Sequence, residues 1–171
     1  MKKLFLVLLI GFAVSTAAFA DHDGLGVGII GGWGWPGHGY AGLSLKVPKM
    51  PIFWGIYPTF AGTSFGVGVT GDFYFIDKNL VSSTMTNEDG NYNFKLDWYL
   101  GLGAFLNMWF WDGGANAGLG ARVPIGLSWH IIKQLELFLD FAPGIGISFN
   151  AGGVWGPYWA GALELGLRFW M

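Results

Sequence analysis

The stretch NAGLGARVPIGLSW, residues 116–129, sets one charged side chain, Arg122, inside an otherwise apolar run. Taken alternately, it separates into two sets. Ala117, Leu119, Ala121, Val123, Ile125, Leu127 and Trp129 form one, and Asn116, Gly118, Gly120, Arg122, Pro124, Gly126 and Ser128 form the other. A period of two is the period of a β-strand, whose successive side chains point to opposite faces. One face is therefore apolar throughout, while the opposite face carries an arginine among glycines.

The same sorting holds along the chain. Leu135, Leu137, Leu139, Phe141, Ile145 and Ile147 alternate with Glu136, Asp140, Gly144, Gly146 and Ser148. Leu163, Leu165, Leu167 and Phe169 alternate with Glu164, Gly166 and Arg168, and Leu96, Trp98, Leu100 and Leu102 with Lys95, Asp97, Tyr99 and Gly101. Leu25, Val27 and Ile29 alternate with glycines. Hydrophobic residues make up 53% of the 171 and charged residues only 12%, about half the charge of an ordinary soluble domain. Something other than water covers much of this surface.

Lipid admits only helices or closed sheets, because unpaired backbone groups are too costly there. The long uncharged segments are interrupted by glycine and proline and lack the Leu/Ile/Val filling of a spanning helix. Alternation points to an eight-stranded antiparallel up-and-down transmembrane β-barrel, all-β, with its apolar face outward and its polar face in the lumen. The expected strands are residues 25–32, 40–47, 53–61, 65–76, 92–108, 116–129, 135–149 and 158–171. Residues 77–91, with a Glu88-Asp89-Gly90-Asn91 turn signal, read either as one long connection or as an additional hairpin.

The N-terminus reads as a secretory signal peptide over residues 1–20: Lys2 and Lys3, an apolar stretch over residues 4–14, and an Ala18-Phe19-Ala20 cleavage site. That leaves one domain, residues 21–171, and a bacterial outer-membrane location. The sequence holds no cysteine, which excludes disulfides and a lipidated cysteine. Once Lys2 and Lys3 are set aside from the 9 basic residues, the 11 acidic ones leave the rest at about −4. Nucleic acid is not an expected partner of so acidic a chain.

Both termini of an even-stranded barrel face the periplasm. The connections at the outer end are then short, near residues 34–39, 62–64, 109–115 and 150–157. Aromatics gather at both ends as expected of interfacial belts: Trp33, Trp35, Tyr40, Trp109, Phe110, Trp111, Trp155, Tyr158 and Trp159 outside, and Phe53, Trp54, Phe73, Phe75, Trp129, Phe169 and Trp170 below. The last residues, ELGLRFWM, resemble the C-terminal recognition strand of outer-membrane barrels at Glu164, Gly166 and Phe169. Met171 departs from it by being apolar but not aromatic. This resemblance implies the barrel-assembly machinery and periplasmic chaperones as partners, alongside outer-membrane lipid.

With GLGARVPIGLSW and LELFLDFAPGIGISF, that strand makes the chain similar to the small outer-membrane β-barrels of spirochaetes, a family of unassigned function compared with the OmpX and OmpW barrels. The resemblance implies an eight-stranded barrel and carries over no catalytic or ligand residue.

Parity places Lys46, Lys95, Arg122 and Arg168 in the lumen with Asp72, Asp97, Glu136, Asp140 and Glu164. A near-balanced set in a narrow lumen predicts a salt-bridged plug. Arg122 is expected opposite Glu136 or Asp140 and near Asp97. Asp72 is expected low, near the periplasmic strand ends, with Lys46, Lys95, Asp97, Glu136 and Arg168. Glycine, alanine, serine and aromatics are left for the upper lumen, where a pocket for a small apolar molecule is one reading and aromatic packing over glycines another. A structural or small-molecule binding and transport role is the leading functional expectation. A surface adhesion or host-interaction role and a lipid-modifying enzyme are the alternatives. For catalysis, His22, His38 and His130 lack a serine and an acid at suitable spacing, so no catalytic, metal or cofactor-binding residue is assigned.

Overall fold

The computed structural model describes residues 24–35, 38–87, 90–150 and 153–171. The expected signal peptide with Ala18 and Ala20, His22, and the Glu88-Asp89 pair lie outside the described residues, as do the side chains of Trp35, His38 and Trp155. Apart from short turns and ends, the described chain is antiparallel sheet: β1 (Gly26–Trp35), β2 (His38–Lys46), β3 (Phe53–Ala61), β4 (Ser64–Asn87), β5 (Gly90–Trp111), β6 (Gly114–Arg122), β7 (Ile125–Ile132), β8 (Leu135–Asn150) and β9 (Gly153–Trp170). The strands pair in succession around the sheet, β6 and β7 both lying between β5 and β8, and β9 returns to β1, so the sheet closes into a ring. Met171 completes the closure by exchanging backbone bonds with Leu25 at 2.8 and 3.0 Å.

The nine strands build eight walls, because β6 and β7 are the two halves of the stretch around Arg122. Pro124 has no N–H, and the ladder lapses there. The register nevertheless runs straight through: Arg122 lies opposite Gly103 and Gly144, and Ile125 opposite Leu100 and Phe141. Bonds from Gly101 N to Pro124 O and from Val123 N to Pro143 O, both 2.8 Å, hold the gap shut. Register also fixes the tilt of the strands. Following it once round from Gly26 through Lys46, Phe53, Asp72, Gly103, Arg122 and Gly144 reaches Ala160, one place past the Gly161–Trp35 pair. The ring thus closes with a stagger of about ten residues, and its strands are inclined to the barrel axis.

The two faces separate as the alternation requires. Leu119 and Val123 are 53% and 41% exposed, whereas Arg122 and Ser128 are 5% and 3% exposed. The exposed large side chains are overwhelmingly apolar, and the buried set includes Lys46, Asp72, Asp97, Arg122, Glu136, Asp140, Glu164 and Arg168. This inverted distribution is that of a transmembrane barrel.

Two expectations change. Of residues 77–91, the described ones, 77–87 and 90–91, are neither a loose connection nor a separate hairpin but the prolongation of β4 and β5, paired from Phe65–Phe110 to Asn87–Gly90. β3 ends its pairing with β4 at Asp72, so this ribbon runs beyond the wall at the end holding the termini. Phe75 and Leu80 are skipped in the pairing, and such bulges tighten a ribbon's twist. The aromatic belts are also thinner than expected. Trp33, Phe60, Phe110, Trp111 and Trp159 are exposed at the far end and Phe75, Trp129 and Phe169 near the termini. Phe53 and Trp170 are instead buried in the lumen, and Tyr40, Trp109 and Tyr158 line its cavity. Strand parity, not proximity to a loop, decides which way an aromatic points.

Candidate functional site

Arg122 sits at the waist of the lumen. Its Nε and Nη2 donate to the two carboxylate oxygens of Asp72 at 2.9 and 3.0 Å, and its Nη1 donates to Glu164 Oε1 at 3.1 Å. A further Nη2 bond to Glu164 completes a guanidinium held on two edges. Such fork-to-fork geometry fixes orientation as well as charge. Tyr40 donates its hydroxyl to Glu164 Oε1, the same oxygen that accepts from Arg122 Nη1.

These partners differ from those expected. Arg122 faces glycine on both neighbouring strands, Gly103 and Gly144, and reaches across the lumen to β4 and β9. Neither Glu136 nor Asp97 is its partner. Asp72 belongs to this middle layer and not to the lower one, because strand inclination raises it to the height of Arg122. Asp140 lies opposite Glu164 in register and accepts from Tyr99 Oη at 3.0 Å. Its second oxygen, Oδ1, has no hydrogen-bond partner among the described residues.

A second cluster lies nearer the termini. Arg168 donates to Glu136 Oε2 at 2.8 Å and to Ser44 Oγ at 3.0 and 3.2 Å. Its guanidinium lies 4.8 Å from the Phe53 ring centre and 4.5 Å from that of Phe138. Trp170 Nε1 donates to the same Glu136 oxygen at 2.7 Å. A stack of rings, Phe53 on Tyr74 at 4.4 Å and Tyr74 on Tyr99 at 4.3 Å, joins this cluster to the Asp140 side of the waist. Lys46 lies over Phe53 and donates to the carbonyl of Val47. Lys95 pairs with Asp97 at 3.2 Å, His130 lies 3.7 Å from that carboxylate, and Asn79 donates to it at 3.0 Å. All nine expected charges therefore face inward, but in three groups instead of one network.

Between the first two groups the lumen is nearly full. The space bounded by Ser44, Thr70, Asp72, Tyr74, Arg122 and Arg168 amounts to about 10 Å³, room for about one water. On the far side of Arg122 it opens into a cavity of about 360 Å³, within the range of small-ligand pockets. Tyr57, Phe105, Asn107, Trp109, Asn116 and Tyr158 are among the groups that line it, and Arg122 forms its floor. Tyr57 Oη donates to Asn107 Oδ1 at 3.2 Å.

The glycines on the same strand face as Arg122 have their reason here. A Cβ on Gly120 would stand 2.4 Å from the Phe105 ring, and one on Gly118 would stand 2.3 Å from the Tyr158 hydroxyl. They are floor space for aromatics that shape the cavity wall. Both expected readings of the upper lumen, packing and pocket, thus describe the same residues. Tyr57 and Asn107 carry no charge or motif to single them out in the sequence, although parity places both inward: Tyr57 with Phe53 and Gly55, Asn107 with Gly103 and Phe105.

In the C-terminal strand Glu164 and Gly166 face the lumen, while Phe169 and Met171 face outward at 47% and 67% exposure. Met171 therefore holds the outward position that the resemblance reserves for a terminal aromatic.

No protein-family model matches the chain, and no curated protein matches it in sequence. Among solved structures it is similar to a major outer membrane protein from Thermus thermophilus, at 12% identity and a TM-score of 0.38, over 88% of this chain and 100% of that one. That likeness transfers no residue and no role.

Proposed function

We propose that this chain is an integral outer-membrane β-barrel protein that holds a small, largely apolar molecule in the outer half of its lumen and does not conduct solutes through it. The observation that carries the reading is the Arg122–Asp72–Glu164 cluster, which floors a cavity of about 360 Å³ and leaves about 10 Å³ of space beneath it. A barrel with both termini in the periplasm turns that cavity toward the cell exterior. The exposed apolar wall supports the membrane location. Aromatic lining with a few converging amide and hydroxyl groups suits an apolar body with one or two polar atoms.

Two measurements on purified, refolded protein test this. Titration with 1-aminoanthracene in detergent micelles is expected to show saturable binding of one probe per chain, and its failure to saturate would remove the pocket. Planar-bilayer recording is expected to show no stable single-channel steps, and regular steps would remove the plug.

A further inference from the structure

The β4–β5 ribbon keeps two unlike faces where it runs past the wall. β4 resumes its parity after each skipped residue, so the pairing sorts the side chains. Ile76, Lys78, Val81 and Ser83 lie opposite Leu100, Trp98, Leu96 and Phe94, on the face that continues the lipid-facing wall. β7 widens that face: Trp129 lies opposite Leu96, and its ring is 5.7 Å from that of Phe94. Asp77, Asn79 and Ser82 lie opposite Tyr99, Asp97 and Lys95, on the face that continues the lumen. The two skipped residues, Phe75 and Leu80, are apolar and exposed, and Leu80 and Val81 are 51% and 50% exposed. Contiguous apolar surface of this kind calls for a partner.

The ribbon is also held in shape. Asn79 Nδ2 donates to Val81 O at 3.2 Å, to Leu96 O at 3.3 Å and to Asp97 Oδ1 at 3.0 Å, so the twist introduced at Leu80 is fixed from the polar side. Beyond Asp72, β4 carries no ladder on its β3 side. Hydrocarbon cannot satisfy a bare strand edge, whereas the hydrated headgroup layer can. The ribbon thus fits the membrane interface and not the bilayer core.

Charge points the same way. Three connections lie at the end holding the termini, and each carries an exposed lysine beside exposed apolar side chains: Lys49 with Met50 between β2 and β3, Lys78 near Leu80 and Val81 on the ribbon, and Lys133 with Ile131 and Ile132 between β7 and β8. Strand order sets the first on the β4 side of the ribbon and the third on its β5 side. At the far end the described turns, residues 62–63 and 112–113, carry one charge, and it is the negative Asp112. Lysine beside apolar side chains suits a surface of acyl chains and phosphates, with the stem lying along the former and the ammonium reaching the latter.

We propose that the outer face of the β4–β5 ribbon is a membrane-docking surface that seats on the periplasmic leaflet, with Lys49, Lys78 and Lys133 engaging the phosphates of anionic phospholipids. Two observations choose lipid over a protein partner: the face is continuous with the lipid-facing wall, and its flanking charges complement anionic headgroups. The proposal goes beyond the cavity and does not depend on it.

The chain has no cysteine, so single labels report single positions. Val81→Cys and Ser82→Cys, one on each face of the ribbon, each carry a small fluorophore in vesicles of phosphatidylcholine and phosphatidylglycerol in which one lipid or the other has brominated acyl chains. The expected result is strong quenching at position 81 and little at 82, with brominated phosphatidylglycerol about threefold or more as effective at 81 as brominated phosphatidylcholine at the same mole fraction. Changing Lys49→Gln, Lys78→Gln and Lys133→Gln together is expected to level the two lipids, and high salt to do the same in the parent. Each form is first checked for a mobility difference between boiled and unboiled samples, so that only folded barrels are compared. Equal quenching at 81 and 82, or none at 81, would overturn the docking surface while leaving the barrel and its cavity standing. A label at 81 shielded both from lipid bromine and from aqueous iodide would place a second copy of the chain on this face, and would overturn it likewise. A phosphatidylglycerol preference that survives the triple lysine change would overturn the role given to the lysines.

Discussion

Replacing Arg122 with methionine keeps much of the side chain's length and removes the guanidinium from between two carboxylates. Asp72, Arg122 and Glu164 have side chains 6%, 5% and 1% exposed, so little solvent stands ready to replace the lost cation. Four hydrogen bonds are lost at once. Breaking a buried pair by removing one partner costs about 3–5 kcal/mol, most of it the charge left uncompensated. Because two carboxylates are orphaned together, the loss is expected toward the upper part of that range. Reversible urea unfolding of the refolded protein in lipid vesicles, followed by tryptophan fluorescence, measures it. The reasoning also predicts rescue: adding Asp72→Asn and Glu164→Gln to Arg122→Met removes the stranded charges and is expected to recover all but about 1–2 kcal/mol, since neutral replacement of a whole buried group is close to even. A loss below about 1 kcal/mol for Arg122→Met alone, or no recovery in the triple variant, would refute the plug as an energetic unit.

Gly166→Ala would bring a Cβ to 2.1 Å from the Phe138 ring and 2.7 Å from the Ile29 carbonyl; overpacking of this kind is expected to cost about 1–3 kcal/mol in the same unfolding assay. Partial relief by Phe138→Leu would identify the ring as the obstacle. Ala160→Phe, in the cavity lining, is expected to weaken 1-aminoanthracene binding by about tenfold or more, equivalent to ~1.4 kcal/mol, with unfolding stability within about 1 kcal/mol of the parent. Excising residues 84–93 and joining the ends with a short turn is expected to leave the barrel folded, because the described residues of this part of the ribbon pair only with one another. The check is retention of the mobility difference between boiled and unboiled samples on a gel.

Alternation alone was enough to place Arg122, Glu136, Asp140, Glu164 and Arg168 inward and Val123, Leu139 and Phe169 outward, because strand parity is a local property of the chain. Partners across the lumen were not legible. They depend on the stagger of the closed ring, which lifts Asp72 level with Arg122 and sets glycines, not carboxylates, beside it. Clustering near strand ends does not decide which way an aromatic points: Tyr40, Phe53, Tyr158 and Trp170 follow the inward set of their strands. The break at Pro124 was visible as a missing donor, yet the unbroken register on both sides required the bonds that Gly101 and Val123 make across it.

The central claim is that one face of residues 116–129 meets lipid and the other a packed, charged lumen. Single cysteines at Ala121, Val123 and Ile125, at Ser128 for the opposite face, and at Ala142 on the neighbouring strand β8 as a second lumen position, each carrying a small environment-sensitive fluorophore in vesicles with brominated acyl chains, measure it directly. The account predicts strong quenching at positions 121, 123 and 125 and little at 128 and 142. Equal quenching at all five, or quenching confined to Ser128 and Ala142, would contradict it.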